Sequence, residues 1–455
     1  MRQQNLSSEK RLQMLEAPIS RLIPKMAVPT IVAQLITTVY NLVDTYFVSS
    51  LGTYATAAVG VNSSMERLIT LIGSLIGAGA GSYIARLLGA DRNKDADNVL
   101  SASFATGLGL GVALMALGLA FLSPLVYALG ATEECAVYSM QYARYVLMAA
   151  PFMIGSFVLN MCLRSEGSAT FAMVGIGIGG VLNCILDPIF IFSMGLGVTG
   201  ASMATAISKL VSFCILLWPY IRRRCAVHIG VKNIRFTWTD TKEVVSIGST
   251  SFFRSAFGVA AGIVTNRVAG GFSTAALAAV SVANRVMEFP FAIILGFGQG
   301  YQPVAGFNWG AKRYDRVRQS LSFGMKVSFC GAVIMGVILG VFASPVMGLF
   351  NKASDPEVLR LGLMCIRLQC IALPIHAWGS IINMFNAAVG KAKNAIILST
   401  ARQGYCLIPV LLILPRLLGA EGLAGSQAAA DLLSLAIIIP LTAAAFKLLK
   451  SMEEE

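Results

Sequence analysis

The sequence predicts an all-α membrane protein with twelve transmembrane helices in two lobes of six, and three observations lead to this fold class. Of the 455 residues, 56% are hydrophobic and only 13% are charged, so the chain is far more apolar than an ordinary soluble domain. Apolar runs long enough to cross the hydrocarbon core of a bilayer recur along the whole chain. The two halves of the sequence also share residues at a nearly constant spacing.

The apolar runs are separated by short segments that carry charges or turn residues. The run from 101 to 123 contains no ionisable residue over more than the roughly 20 positions that a spanning helix needs. Its glycines and alanines favour close packing between helices in lipid. The twelve predicted helices start near residues 24, 59, 98, 137, 171, 201, 243, 276, 320, 357, 395 and 422.

The distribution of basic residues predicts the orientation of the chain. The net charge is +13, and the Lys and Arg residues concentrate in every second connecting segment. By the positive-inside rule these segments are cytoplasmic, so we expect a multi-pass protein of the plasma (inner) membrane with both termini in the cytoplasm. Since the charge is spread over separated loops, nucleic-acid binding is not expected. We expect a monomer in contact with membrane lipids.

The start of the chain does not predict a cleaved signal peptide, and the cysteines do not predict a metal site. A polar, charged segment precedes an apolar run that is too long for a signal-peptide core, so no cleaved signal is expected. The nine cysteines are scattered, with no CxxC pair and no Cys/His cluster. We therefore expect cysteines packed as small apolar residues, with neither disulfides nor a metal site of that kind.

Matching residues in the two halves indicate a duplication. The sequence AAV at 57–59 recurs at 278–280, and this offset of 221 (280 − 59) also places LGADR (88–92) on WGAKR (309–313). Six spans per copy is an even number, so both copies enter from the same side and a pseudo-two-fold axis runs along the membrane normal. The predicted divisions are an N-terminal lobe (1–221), a cytoplasmic linker (222–242) and a C-terminal lobe (243–455).

Two aspartates lie inside predicted spans of the first half, Asp44 in VYNLVDTYFV and Asp187 in NCILDPIF. A carboxylate at the centre of a span costs about 2.5–3.5 kcal/mol on insertion scales, so each is a functional-site hypothesis. Asn183 lies four residues before Asp187, on the same helix face. Pro188 would free a backbone carbonyl beside them. The resulting oxygen-rich pocket suits a proton or a cation.

The second half has no matching carboxylates. The offset of 221 carries Asp44 to Thr265 and Asp187 to Ile408, so the duplication predicts an ion site in the first lobe alone. The alternative is that each aspartate only pairs with a buried base, for which Lys209 is the candidate.

Several motifs taken together resemble the bacterial type of the multidrug and toxic compound extrusion (MATE) transporters. They are NLVDTYFVSSLG, LGADRN, NCILDPIFIF followed by GLGVTGASMATAIS, and QGYQPVAGFNWGAKR, and the resemblance covers nearly the whole chain. It implies a proton-coupling or cation site, with Na⁺ as the metal ion that could occupy it, formed by Asp44, Asn183, Asp187 and Thr205. It also implies supporting polar residues in the same cavity, here Tyr40 and Asn160.

The chain departs from the family pattern on the seventh span. One branch of the family has a glutamate there, whereas this sequence has Arg254 in SFFRSAFG, which argues against a second-lobe cation site of that kind. Glu288 in RVMEFPF is an intramembrane acid of the second lobe and a candidate for substrate contact, the alternative being a pair with Arg285 or Arg254.

The resemblance implies a secondary active antiporter. Such a protein exports organic, often cationic, amphipathic drugs and toxins in exchange for H⁺ or Na⁺ by alternating access. No enzymatic activity and no cofactor beyond the coupling ion are expected. The alternative is a lipid-linked oligosaccharide flippase of the same superfamily, which needs a more basic central cavity. A membrane enzyme or receptor is a third class, but no catalytic Ser/His constellation is visible.

Overall fold

A computed structural model describes residues 2–350 and 355–454, and within these ranges the chain forms helices joined by turns, without a β-strand. Eleven of the described helices are long and apolar enough to cross a membrane. The last of them, Ala392–Glu454, contains two spans, because the backbone leaves the helix at Gly419 (φ 62°, ψ −143°). The described residues thus contain the twelve predicted spans.

We number the spanning helices from first to twelfth. In the first half they are Ile19–Ser49, Thr53–Gly89, Asn93–Ala120, Glu133–Ser165, Ala169–Pro188 and Gly197–Ile221. In the second half they are Trp238–Phe272, Thr274–Gly310, Tyr314–Val341, Pro356–Ala388, 392–418 and 420–454. Shorter helices are Arg2–Glu16, Leu122–Ala128, Ala343–Phe350 and the 3₁₀ turn Val231–Asn233.

The helices begin earlier than the apolar runs that predict them, by one residue (357 against 356) to six residues (59 against 53). The physical reason is that the first turns are polar or charged, as in NKDAD at the start of the third helix. Polar first turns lie at the ends of the bundle, where they are helical without being apolar. Hydrophobicity marks the part of a helix inside the hydrocarbon, which is shorter than the helix itself.

Two spans contain a π-helical turn. The fifth helix continues past Pro188 as Ile189–Ser193, and the eleventh contains Ala401–Tyr405. Such turns are rare and often lie at functional sites. The two turns lie in the same span of each half, one directly after Pro188 and the other around Arg402.

The loops that follow the second, fourth, sixth, eighth and tenth helices lie at one end of the bundle: 90–92, 166–168, 222–237, 311–313 and 389–391. All of them except 166–168 carry Lys or Arg, so we call this the basic end. The linker folds against the first lobe here. Asp97 accepts a hydrogen bond from the backbone N–H of His228 (2.7 Å), and Glu166 accepts one from Ala226 (2.6 Å). The Asp97 carboxylate also lies 3.7 Å from Nδ1 of the His228 ring, and its side-chain hydrogen bond with this ring raises the pKa of the imidazole.

Several glycines let the two lobes approach at backbone distance, and the four that lie where the second helix crosses the seventh and the eighth crosses the first we call the glycine seam: Gly79, Gly248, Gly296 and Gly300. The second helix packs on the seventh, where Gly79 faces the carbonyl of Val244 and Gly248 faces the carbonyl of Leu75. The eighth helix packs on the first, where Gly296 and Gly300 face the backbone of Ile31 and Ala27. A Cβ at any of the four would collide with the opposite backbone.

The seam follows the internal repeat. The offset of 221 carries Gly79 to Gly300 and Gly248 back to Ala27, so the two helix crossings are equivalent contacts. Polar links lie beside them near the basic end. Arg86 donates to Glu243 (2.6 Å), and the Tyr83 hydroxyl donates to Asp240 (3.0 Å).

The same helices are apart at the opposite end. A Cβ added at Gly60 of the second helix, or at Gly262, Gly270 or Gly271 of the seventh, would meet nothing within 4 Å. Tyr54 and Ile263 are exposed there. The two lobes therefore contact each other near the basic end and are open at the opposite end.

Candidate ion-coupling site

The structure brings together the four residues that the resemblance predicts to be a coupling site. The Asn183 amide donates to Asp187 Oδ1 (3.3 Å) and to Thr205 Oγ1 (3.4 Å). Asp44 of the first helix lies within hydrogen-bonding reach of Asp187. Asp187 is 0% exposed and Asn183 is 3% exposed, so the group lies inside the first lobe.

Glycines of the fifth helix permit this approach. Gly180 faces the side chains of Ile36 and Tyr40 on the first helix, and Gly179 faces Ser212 on the sixth. Larger residues would push the first and sixth helices away from the face that carries Asn183 and Asp187. The VGIGIGGV sequence thus packs helices closely, as small residues do in membranes.

Three buried oxygens of the cluster lack a hydrogen-bond donor among the described residues: Asp44 Oδ1, Asn183 Oδ1 and Asp187 Oδ2. A buried acceptor without a partner is costly, and more so when it is charged. A proton shared between the two carboxyl groups would satisfy this arrangement, and so would a hard cation with oxygen ligands. Among the described residues, no group of three or more His, Cys, Asp or Glu side chains is arranged to hold a metal ion.

Two further members of the cluster, Glu66 and Tyr142, are missing from the prediction. The Tyr142 hydroxyl donates to Glu66 Oε1 (3.4 Å) and lies within hydrogen-bonding reach of Thr205. Glu66 adds its charge to the field at Asp44. Glu66 lies inside the second helix both as predicted, from near residue 59, and as observed, from Thr53. Its neighbour in the sequence is Arg67, and only the fold shows that its carboxylate faces Tyr142.

Lys209 supplies the one ammonium group that the described contacts place at the cluster. Its Nζ donates to the Tyr40 hydroxyl (2.7 Å) and lies 4.8 Å from the centroid of the Tyr40 ring. It also acts electrostatically on Glu66 and Asp44. With three carboxylates against one ammonium, the ionised cluster has a net charge of −2 (1 − 3). Lys209 therefore neutralises one of the negative charges, and the remaining net charge favours the binding of added cations.

Asn160 lies away from the cluster. It follows Tyr142 by 18 residues on the fourth helix, about 27 Å at 1.5 Å per residue. Its amide donates to the carbonyl of Ala172 (3.1 Å), at the start of the fifth helix. Asn383 makes the equivalent bond to Ala395 (2.7 Å) in the second lobe. The repeated contact indicates that this asparagine joins two helices.

Glu288 and Arg254 lie in the second lobe. Glu288 is exposed on the eighth helix, and its carboxylate interacts electrostatically with Arg285 and Arg67. Arg254 lines a separate cavity together with His376 and Arg402. The structure therefore does not place Glu288 beside Arg254 in that cavity.

Replacing Glu66 with glutamine should slow transport about tenfold. A charge-assisted interaction of the Glu66 carboxylate is lost, and a loss of about 1.5 kcal/mol corresponds to that factor in rate. The change removes one of the carboxylates that stabilise the Lys209 ammonium and leaves the shape of the side chain. Initial rates of dye efflux from proteoliposomes would measure it. Glu134→Gln, at an exposed position of the fourth helix, is the matched control and should leave the rate unchanged. Equal rates for both variants would exclude Glu66 from the coupling cluster.

Comparison with known proteins identifies the family. The MatE family model matches the chain twice, at residues 29–189 and 251–413. The two matches are displaced by 222 residues at their starts (251 − 29) and by 224 at their ends (413 − 189), close to the internal offset of the sequence.

The relatives include proteins named multidrug export protein MepA. The protein from Staphylococcus haemolyticus is 27% identical over 428 residues, 94% of each chain. The protein from Staphylococcus aureus MSSA476 is 26% identical over 419 residues, 91% of this chain and 92% of its own. A solved structure described as the outward-facing conformation of a multidrug resistance MATE transporter has the same fold, with a TM-score of 0.91, 24% identity and coverage of 98% and 99%. The chain is therefore a multi-pass membrane protein that belongs to the MatE family, whose members are transporters and not enzymes.

Proposed function

We propose that this protein exports organic, often cationic, amphipathic compounds in exchange for H⁺ or Na⁺. The observation that carries the proposal is the first-lobe acid cluster, with three buried oxygens that have no donor among the described residues. The relatives named multidrug export proteins support the substrate class. The basic loops support an inner-membrane location with both termini in the cytoplasm.

The open end gives the acid cluster a path to the external side. Asp44 lies near the end of the first helix (Ile19–Ser49), far from the basic end where that helix begins. The lobes are open at this level and Asp44 is partly exposed, which supports entry of an external proton or Na⁺ at Asp44 and its passage from there to the buried Asp187. Either ion reduces the repulsion between these carboxylates and so changes the balance between packing arrangements of the first and fifth helices. Exchange requires that the ion and the drug favour different arrangements, because a ligand with equal affinity for both shifts nothing.

Liposomes that contain the purified protein and are loaded with ethidium, an organic cation, test the proposal directly. An imposed proton gradient and an imposed sodium gradient are applied separately, and dye efflux is followed by fluorescence. We expect efflux driven by one of the two gradients and absent in liposomes without protein. Efflux that neither gradient drives would contradict antiport of organic cations with these ions.

The flippase alternative requires a basic cavity between the lobes for a lipid-linked pyrophosphate. The charged cluster of the first lobe is acidic instead, with Asp44, Glu66 and Asp187, which argues against that alternative. Transfer of a fluorescent lipid pyrophosphate across the same liposomes is expected to equal the rate without protein.

A further inference from the structure

A cavity of about 210 Å³ lies inside the second lobe at mid-membrane depth. Its walls come from the seventh, eighth, tenth, eleventh and twelfth helices, so it belongs to this lobe alone. The charged and titratable groups that line it are Arg254, His376 and Arg402. We propose that this cavity binds small organic anions through a carboxylate or phosphate group.

Arg402 is fixed in one orientation while keeping a donor free. Its Nε donates to Asp431 Oδ1 (2.6 Å), and its guanidinium lies 4.5 Å from the centroid of the Phe291 ring. The His376 ring contacts the same phenyl group at 5.1 Å between centroids. One terminal nitrogen of Arg402 is buried without an acceptor among the described residues. A guanidinium held this way is suited to bind an oxyanion, because its fork of N–H groups matches two oxygens.

Arg254 is the second base of the cavity. In the part of the chain that the structure describes, no acidic side chain lies within ion-pair distance of Arg254, whose side chain is half-buried at the cavity wall. Arg254 and Arg402 both act electrostatically on His376. Two arginines against the single carboxylate of Asp431 give a formal net charge of +1 (2 − 1).

An uncompensated charge at membrane depth is expensive, so such a residue marks a site for a partner of opposite charge. The charge of Arg402 is balanced by its ion pair with Asp431, which could be purely structural. The charge of Arg254 is balanced by no acidic side chain among the described residues. A bound monoanion would neutralise the cavity and give both guanidinium groups an acceptor.

The remaining lining fits the organic part of such a ligand. Phe291, Leu295, Met384 and Leu398 supply apolar walls, whereas Ser380 and Gln403 supply polar groups. Gln403 lies on the π-helical turn and packs against Gly258, where a Cβ would come 2.5 Å from its side-chain oxygen. The cavity therefore combines two guanidinium groups with apolar surface, which is the usual make-up of a small-molecule site.

The duplication shows that these bases belong to the second lobe only. The offset of 221 carries Arg254 back to Ala33 and Arg402 back to Val181. Around the fourth and tenth spans the offset is 223, which places Pro151 on Pro374 and carries His376 back to Met153. The first copy has carboxylates that the second lacks, and the second has bases that the first lacks. The two lobes thus present sites of opposite polarity.

Calorimetric titration of the purified protein in nanodiscs tests the site. The probes are benzoate, phenyl phosphate and the neutral benzamide. Binding of either anion without binding of benzamide supports the proposal, and the tighter of the two anions identifies the carboxylate or the phosphate class. Arg254→Gln should weaken anion binding about tenfold to a hundredfold, the loss expected for a charge-assisted hydrogen bond. Arg267→Gln, an exposed position on the same helix, should not change it.

The double variant Arg402→Gln/Asp431→Asn is a second test that leaves no unpaired buried charge. It should also weaken anion binding, and thermal unfolding of each variant establishes that it is folded. No binding of either anion to folded wild type would overturn the proposal, as would equal affinity in wild type, Arg254→Gln and the double variant. Neither result depends on an ion gradient, so the antiport proposal would stand or fall separately.

Discussion

Efflux driven by an ion gradient should fall to the level of protein-free liposomes when Asp187 is replaced by asparagine. Asparagine has the same shape and still accepts a hydrogen bond from Asn183, but it can neither take up a proton nor balance a cation. Because Asp187 is fully buried beside Asp44, no other group can take over its charge in the same place. The measurement is ethidium efflux under the gradient that drives the wild type.

The control for this variant is Asp315→Asn, the same change at an exposed position at the start of the ninth helix. It should retain wild-type efflux. Undiminished efflux in Asp187→Asn would remove Asp187 from the coupling site and assign it a structural role. Facilitated dye exchange without a gradient in Asp187→Asn, with no driven efflux, would show that substrate still passes and only coupling is lost.

A leucine in place of Gly248 should shift the protein away from the arrangement seen here. The Cα of Gly248 faces the carbonyl of Leu75 across the glycine seam, and a backbone oxygen has no rotamer that could move aside. Overpacking costs typically about 1–3 kcal/mol, which changes a population roughly five- to more than a hundredfold. We expect the basic end to separate, the opposite end to close, and driven efflux to fall by at least about tenfold.

Spin labels at Tyr54 and Ile263 would report this change, with the exposed Cys214 and Cys330 replaced beforehand. The distance between the labels should shorten in Gly248→Leu. The matched control is Gly262→Leu on the same helix, where an added Cβ meets nothing within 4 Å. A distance distribution and an efflux rate like those of the wild type would show that the seam does not set the arrangement of the lobes.

Much of the fold is predictable because the hydrocarbon thickness imposes it. The apolar runs and the internal offset predict twelve spans in two lobes, and the structure agrees in both respects. The helix ends are less predictable, since their polar first turns carry no hydrophobic signal. The π-helical turns after Pro188 and at Arg402 are not predictable at all, because no residue pattern distinguishes them from ordinary helix.

The candidate site divides in the same way. Asp44, Asn183, Asp187 and Thr205 follow from motif resemblance, and the structure places them together, while their role in coupling stays a prediction. Glu66 and Tyr142 join them through contacts between distant parts of the chain, which one sequence does not contain. Arg402 and Asp431 likewise lie 29 residues apart, on two helices, and only packing shows their ion pair.

The glycine seam also bears on the entropy of the transport cycle. A glycine has no side-chain torsions, so when Gly79, Gly248, Gly296 and Gly300 meet the opposite backbone, no rotamers are frozen at those positions. Seams of Lys, Met or Gln would lose up to about 2 kcal/mol of rotamer freedom per buried side chain at every closure. Because the contact is between backbones, the lobes can separate and associate with little change in conformational entropy. The population of each arrangement is then set mainly by the binding of the ion and the drug.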